Sequence, residues 1–565
     1  MSFPSPVELA PLEVPAAEFT ADERKKLAPF FTNVDRPIFG LKLPQEVAGA
    51  LFSRYSRTAK SLRRVFLDEF LGAGVFEGAE GAEGDSDAAL RKAREFYDRV
   101  LIGYGDDSVA QLGGAHVACE RISNVAAKLL EDGRIGISYL EKSTRYVRFD
   151  QRDAAGEYLF HKEPRIMASR HREAYLGLMN RLFATYARQI DPLIAFLKQS
   201  LPIEKVAVRH PKTGEPVSFE EVESSPDLRA SAERAYNQTV RAHACDVMRS
   251  YLPGATLTNV GVFASGQAYE LLLTKLSSQD LTEGRELSDS MRRDLEGLIP
   301  SFVKRARRSE YLVEVASGTR KIARKLTPLS APIAQAASVT LIDHDEQAEE
   351  KILAALLYPA SRQPLAQLRE IVGQMTASER RARLEEFAVW RRNRRDKPGR
   401  ALESVAYTFD VLANFGCYRD LQRHRMLSQE RQEFTTAHGY DTPPELDEAG
   451  FGAEFRSCMA QAHDLYEALM PELPLESQYV VPFAYRVRWY LRMNLREAVH
   501  LCELRSMPQG HADYRVIAQS IWHQIEEVHP ALSGWARYLS RENPRLGRLQ
   551  SEFRTEFKRG LLADK

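Results

Sequence analysis

Two stretches far apart in the chain carry side chains suited to phosphorylated ligands. In Asp420-Leu421-Gln422-Arg423-His424-Arg425-Met426-Leu427-Ser428, Arg423 and Arg425 offer planar, permanently charged forks that match phosphate oxygens better than lysine does. An Arg-His-Arg triplet alone is an ordinary solvated helix face. Its weight comes from agreement with Ser138 to Tyr146, which holds Glu141, Ser143, Thr144 and Arg145. A third stretch runs from Arg492 to Arg505. Taken as helix, it places Asn494 and Arg505 about 20° apart, and Arg496 and His500 about 40° apart on another side. Such a helix shows Arg505 to one ligand and Arg496 with His500 to a second; solvated polar residues on an amphipathic helix are the plainer alternative. A metal reading of His500-x-x-Glu503 with His511 lacks a third well-spaced ligand, so no metal is expected.

The bulk numbers narrow the setting. A chain of 565 residues exceeds one hydrophobic core, so two or more domains are expected. A formal net charge of +0 with 28% charged residues argues against a polyelectrolyte role on nucleic acid or membranes, so any anion site is local. No apolar run reaches the ~20 residues needed to span a bilayer. The Pro-rich, acidic start lacks the pattern of a signal peptide. Five scattered cysteines without CxxC spacing fit a reducing cytoplasm.

The elements that must position these residues are mostly helical. Helical spacing is read from Pro44 to about Leu71, at Ala88 to Leu101 and between Val109 and Leu130, with an exposed loop over Gly72 to Asp87. Gly133 to Phe149 reads as extended. A long helix follows over about Arg165 to Leu201, then a polar loop from Pro202 to Pro226. Helix is expected over Ser231 to Tyr251 and on past Pro253 to about Ser278, and again over Glu286 to Val315. In the second half, Val405 to Val411 alternates as a half-buried strand, and Phe451 to Met470 reads as helix. The basic run Arg380 to Arg400 fits a solvated helix end better than a nucleic-acid patch, given the neutral whole.

Internal similarity organises the chain. Ala50-Leu51-Phe52-Ser53-Arg54-Tyr55-Ser56-Arg57 resembles Ala355-Leu356-Leu357-Tyr358-Pro359-Ala360-Ser361-Arg362, and Leu252-Pro253 echoes Val481-Pro482. A duplicated domain follows: an extension over 1–43, a first copy over 44–318 with an insertion near 198–230, a second copy over 343–540, and a tail over 541–565.

These motifs resemble the flavin-dependent thymidylate synthases, whose signature is Arg-His-Arg-x-x-Ser followed by Glu-x-Ser-x-Arg-Tyr. The resemblance covers about Ala50 to Leu276 and Ala355 to His529. The second copy keeps Arg423-His424-Arg425-x-x-Ser428, Asn494, Arg496, His500 and Arg505. The first keeps Glu141-x-Ser143-Thr144-Arg145-Tyr146 and Arg249. In that family each site is shared between subunits of a homotetramer, and the losses here follow that division. The resemblance thus implies one composite site per chain and a homodimer, a pseudo-tetramer of four similar domains. It implies an α+β fold: two similar domains, each with helices packed on a small mixed or antiparallel sheet, mostly helical overall.

The implied activity is conversion of dUMP to dTMP, using FAD with NADPH and methylenetetrahydrofolate as co-substrates. Ser143, Thr144, Arg145, Arg249, Asp420, Arg423 and Arg505 would bind the nucleotide, with Arg505 in the catalytic role at the uracil ring. Arg423, His424, Arg425, Glu141, Asn494, Arg496 and His500 would hold the flavin. Asp420 stands where the family has Gln, a carboxylate that needs a partner such as Arg419 or Arg423 near a phosphate. His511 stands in for a Gln beyond Arg505, and Pro398 replaces the His near the flavin entry. One-carbon transfer to another pyrimidine nucleotide, or a silent nucleotide- or flavin-binding homologue, are the alternative readings.

Overall fold

The computed structural model describes residues 18–71, 109–206, 208–328, 331–334 and 337–563. Two compact units emerge. One comprises Met1–Cys119, Ile135–Leu140 and Gly261–Arg320; the other comprises Glu120–Arg134, Glu141–Val260 and Lys321–Lys565. The second unit therefore takes segments from both sequence halves.

Strands among the described residues form three sheets. β1 (Gly114–Ser123), β2 (Ile137–Glu141) and β5 (Leu257–Ser265) form a sheet in the order β1-β5-β2. β3 (Val208–Arg209) pairs antiparallel with β4 (Pro216–Val217). β6 (Val339–His344), β7 (Ala406–Asn414), β8 (Ser428–Arg431) and β9 (Arg486–Asn494) make an antiparallel sheet in the order β6-β7-β9-β8. Helices and small sheets together give an α+β architecture.

A repeated local device positions the site. Four times a strand ends on a small polar residue whose side-chain oxygen accepts a backbone N–H of the following helix. Ser123 follows β1 in this way, Ser265 β5, Asn414 β7 and Asn494 β9. Such caps satisfy one of the orphan donors of the first turn and fix where each helix starts. The triplet lies in the turn between the helix Phe415–Leu421 and β8, which is registered on β9 with Ser428 opposite Arg492.

Several sequence expectations change. The stretch Val109 to Leu130 is not one helix: β1 occupies Gly114–Ser123, and helix begins at Asn124. Helix does not continue past Pro253, because Leu257–Ser265 is strand, with Thr258, Val260, Val262 and Ala264 buried in alternation. The helix expected from Arg492 begins at Leu495; Arg492 belongs to β9, and Asn494 is the cap. The Pro202 to Pro226 loop holds the β3-β4 hairpin and the helix Phe219–Ser224. The stretch Pro44 to Leu71 breaks after the helix Gln45–Tyr55 and resumes at Leu62. Short apolar runs fit either period, and pairing with a neighbouring strand decides between them. The expected loop at Gly72 to Asp87 and helix at Ala88 to Leu101 lie outside the described residues.

In the first unit, Leu51, Phe66, Leu272, Leu276, Leu295 and Phe302 are buried. Gly113 and Gly266 admit the Phe302 ring: a Cβ would stand 2.7 and 2.4 Å from it. The second unit holds the long helices Arg172–Ser200 and Pro226–Met248, and Leu549–Ala563 packs along the latter. Two arginines of its basic run serve the fold. Arg381 pairs with Glu385 one turn on, and buried Arg391 forks onto Glu503 with both contacts at 2.9 Å.

Candidate functional site

The two echoing Pro segments meet each other. Pro253 and Pro482 form an antiparallel bridge, flanked by Gly254 N–H donating to Val481 O at 2.9 Å and Phe483 N–H to Leu252 O at 2.8 Å. Gly254 permits the approach, since a Cβ there would sit 2.6 Å from the Gln478 carbonyl. This junction brings Arg249, at the end of the helix Pro226–Met248, against the helix Phe415–Leu421. There its Nη1 donates to Asp420 Oδ2 at 3.2 Å.

A cleft of about 150 Å³ opens beside this pair, within a single chain. Ser143, Thr144, Arg145, Arg249, Asp420, Arg423 and Arg505 all line it, joined by Tyr146, Arg419 and Tyr514. Five guanidinium groups thus face one lining carboxylate. Arg145 is held by Asp246 at 2.9 and 3.1 Å, and donates to Tyr514 Oη at 2.8 Å. Arg423 reaches Glu141 at 3.0 Å and Asp420 at 3.8 Å, with its side chain 38% exposed. Arg505 has no carboxylate within ion-pair distance among the described residues. Among the described residues, buried Arg249 Nη2 and Arg419 Nε have no acceptor. Buried donors without partners ask for an acceptor-rich ligand, and a phosphate dianion supplies one.

Glu141 sits behind the arginines, buried, receiving Arg419, Arg423 and Lys128. Burial opposes its charge, but Arg419, then Lys128 and Arg423, hold the carboxyl well below the usual carboxylate range. Asp420 is likewise held down against burial by Arg249 and then Arg423. Of the two expected partners Arg423 is within ion-pair range, while Arg419 is committed to Glu141 and to Thr144 Oγ1 at 3.2 Å; the shorter contact is to Arg249. Arg419 was a site residue that spacing could have revealed, because it lies four residues before Arg423, one turn up the same helix end. Nothing in the sequence pointed to Tyr514, Asp246 or Lys128.

His424 lies buried between two of the other groups. Burial and then Arg505 push its pKa well down, so the ring is neutral. Its Nδ1 is 2.7 Å from Glu497 Oε1, and Arg505 Nε donates to its Nε2 at 2.9 Å. The His500 ring is 5.7 Å from that of His424. His500 also meets Lys397 at 3.3 Å, while Arg496 contacts Pro398 O at 3.0 Å and the Glu403 carboxylate. Arg425 is exposed, Arg496 and His500 partly so, and Asn494 gives its side-chain oxygen to the helix cap. Of these, Arg496 is already paired with Glu403, and burial lowers the His500 pKa. Glu503 is taken by Arg391, away from any metal role with His500.

All five cysteines are buried and free. Burial pushes the Cys245 thiol up to about 11 and raises Cys417 and Cys502 well above the ordinary value, so none offers a thiolate.

Among the described residues, no helix is long and apolar enough to cross a membrane. The family model described as "Thymidylate synthase complementing protein" matches residues 63–301 and 340–531. A UPF0159 protein of Chlamydia muridarum is 39% identical over 547 residues, covering 95% of this chain and 98% of its own length. A UPF0159 protein of Thermoplasma acidophilum is 35% identical over 518 residues, covering 91% and 99%. A flavin-dependent thymidylate synthase of Geobacter sulfurreducens is 27% identical over 141 residues, 23% of this chain and 61% of its own. With both copies matched and relatives spanning almost the whole chain, this protein belongs to the thymidylate synthase complementing protein family, the flavin-dependent one.

Proposed function

We propose that this chain makes dTMP from dUMP, with one composite site per chain. The supporting observation is the convergence of Arg145, Arg249, Arg423 and Arg505 from distant stretches on one cleft. In the overall reaction the uracil C5 hydrogen is replaced by a methyl group. The carbon comes from methylenetetrahydrofolate and two electrons from NADPH; tetrahydrofolate and NADP⁺ leave. FAD, when bound, supplies the hydride and one-carbon relay.

The chain's own residues do the rest. Ser143, Thr144, Arg145, Arg249 and Arg423 bind the nucleotide phosphate, with Glu141 and Asp246 aligning the forks. Asp420, already neutralised by Arg249, does not repel that phosphate. Arg505 faces the base. A cation there favours the ionised imide and makes C5 more nucleophilic without a thiol adduct. Arg425, Arg496 and His500 hold the flavin from the outer side, with Asn494 fixing the helix that carries two of them. The assembly in this reading is a homodimer, which light scattering would test.

The presence of Asp420 in the cleft favours, as a second reading, transfer to a pyrimidine nucleotide other than dUMP. The deciding assay follows product formation from dUMP with methylenetetrahydrofolate and NADPH. Purified protein should be yellow, and dTMP should form. Yellow protein that methylates a different pyrimidine nucleotide selects the second reading. Colourless protein inert with every pyrimidine nucleotide would mark a silent homologue.

A further inference from the structure

We infer that a second cavity, walled off from the nucleotide cleft by ion pairs, is a binding site for a small organic anion bearing a carboxylate or phosphate. The cavity measures about 390 Å³ against about 150 Å³ for the cleft, within the range of small-molecule sites. One wall is the helix Pro226–Met248, and another is the start of the helix Ala512–Val528. A third is formed by residues from Asn543 to Arg548. That third wall lies beyond residue 531, where the family match ends, while the other two lie within the matched residues.

Five carboxylates and four guanidiniums line the cavity, and the two kinds differ in how completely they are partnered. Each lining carboxylate already has a partner. Asp246 has Arg145 and Arg548, Asp441 has Arg486, and Glu445 has His243 and Arg545. Glu448 has Arg545, and Asp513 has the Asn414 amide at 2.6 Å. The guanidiniums are less complete. Among the described residues Arg515 meets the Glu542 and Pro544 carbonyls, at 3.5 and 3.1 Å, and no carboxylate. Among the described residues Arg515 Nε and Arg548 Nη1 are buried donors without acceptors, and both side chains line this cavity. No buried carboxylate oxygen among the described residues of these walls lacks a partner while these guanidinium nitrogens do, and donors left unpaired call for acceptor oxygens on the occupant.

Position gives the occupant a consequence. Arg249 lines both cavities, and Asp246 on this side clamps Arg145 on the other. An anion drawn to Arg249 or Arg548 competes with Asp420 or Asp246 for those forks, and so alters the two arginines that serve the nucleotide cleft.

Titration calorimetry of the full chain with inorganic phosphate, and separately with succinate, tests this. Phosphate is expected at two classes of site, with Arg423→Gln removing one. Ala512→Trp, at an exposed lining position, fills the other without deleting a polar contact, and Arg515→Gln weakens it by about tenfold or more. Succinate binding that survives Arg423→Gln but not Ala512→Trp identifies a carboxylate ligand; phosphate alone behaving so identifies a phosphate. The inference is overturned if wild type gives no heat with either anion, if Arg423→Gln abolishes all binding, or if Ala512→Trp, folded by circular dichroism, binds both anions as wild type does. Loss confined to the Arg423-dependent class bears on the nucleotide cleft alone.

Discussion

Arg505 Nε–H donates to His424 Nε2 at 2.9 Å, and this bond exists because Glu497 occupies the other ring nitrogen. A neutral imidazole has one donor and one acceptor nitrogen. With Nδ1–H given to Glu497, the Nε2 lone pair is left for Arg505, so a carboxylate on the late helix sets the direction of the cation at the cleft. Glu497→Leu should therefore weaken nucleotide binding by roughly tenfold, while Glu497→Gln, which still accepts from Nδ1, should stay near wild type. Arg505→Ala should lose turnover altogether. Nucleotide titration of the three variants checks the order; equal affinity in Glu497→Leu and wild type would remove Glu497 from the argument.

Acid sensitivity follows from the same ring. Burial, then Arg505, depresses the His424 pKa, and burial, then Arg249, depresses that of His511. The unfolded chain protonates these rings near pH ~6.5, while the folded chain resists until a lower pH. Between those values the unfolded state binds more protons, so stability is full above about pH 6.5 and falls as pH drops toward the folded values. The slope is at most about 1.4 kcal/mol per pH unit for each ring. Melting curves collected across this window should show the decline, and His424→Gln should flatten it.

Gly416, on the wall of the larger cavity, gives the Arg249 guanidinium its room. A Cβ at this position would lie 3.0 Å from Arg249 Nε and 3.2 Å from its Cζ, in a packed helix. Gly416→Ala should push the guanidinium away from Asp420, costing about 1–3 kcal/mol of stability and weakening the nucleotide. Urea unfolding paired with nucleotide titration reads both effects. An unchanged affinity would show that Arg249 yields without leaving the cleft.

The Glu141 hub is a structural support with a large stake. Lys128, Arg419 and Arg423 converge on it, and Lys128 is completely buried. Glu141→Gln leaves buried cations uncompensated, which typically costs about 3–5 kcal/mol. The urea midpoint should drop accordingly. A shift within error would mean that water or Glu131 takes over the charge.

Because Arg145 and Arg423 line one cleft of one chain, Arg145→Ala and Arg423→Ala proteins should each be inactive and remain so when mixed. Activity appearing on mixing would show that the working site is assembled between chains.

Residue chemistry was local enough to be read from the sequence. The arginine forks, the hydroxyl pair beside Arg145, the duplicated Pro segments and the β7 strand are all short-range patterns, and the structure brings Arg145, Arg249, Arg423 and Arg505 to the same walls. Tertiary structure alone decided the rest. β1 and β5 had periods compatible with helix until a neighbouring strand fixed them. Sequence offered Arg419 or Arg423 as the partner of Asp420; that Arg249 makes the shorter contact depended on the Pro253–Pro482 junction, which sets two distant helices at hydrogen-bonding range. Lys128, Asp246, Tyr514 and Glu497 became site residues only through contacts that no spacing encodes. Sequence fixes which charges a chain carries; which of them face each other, and which are left to face a ligand, is a property of packing.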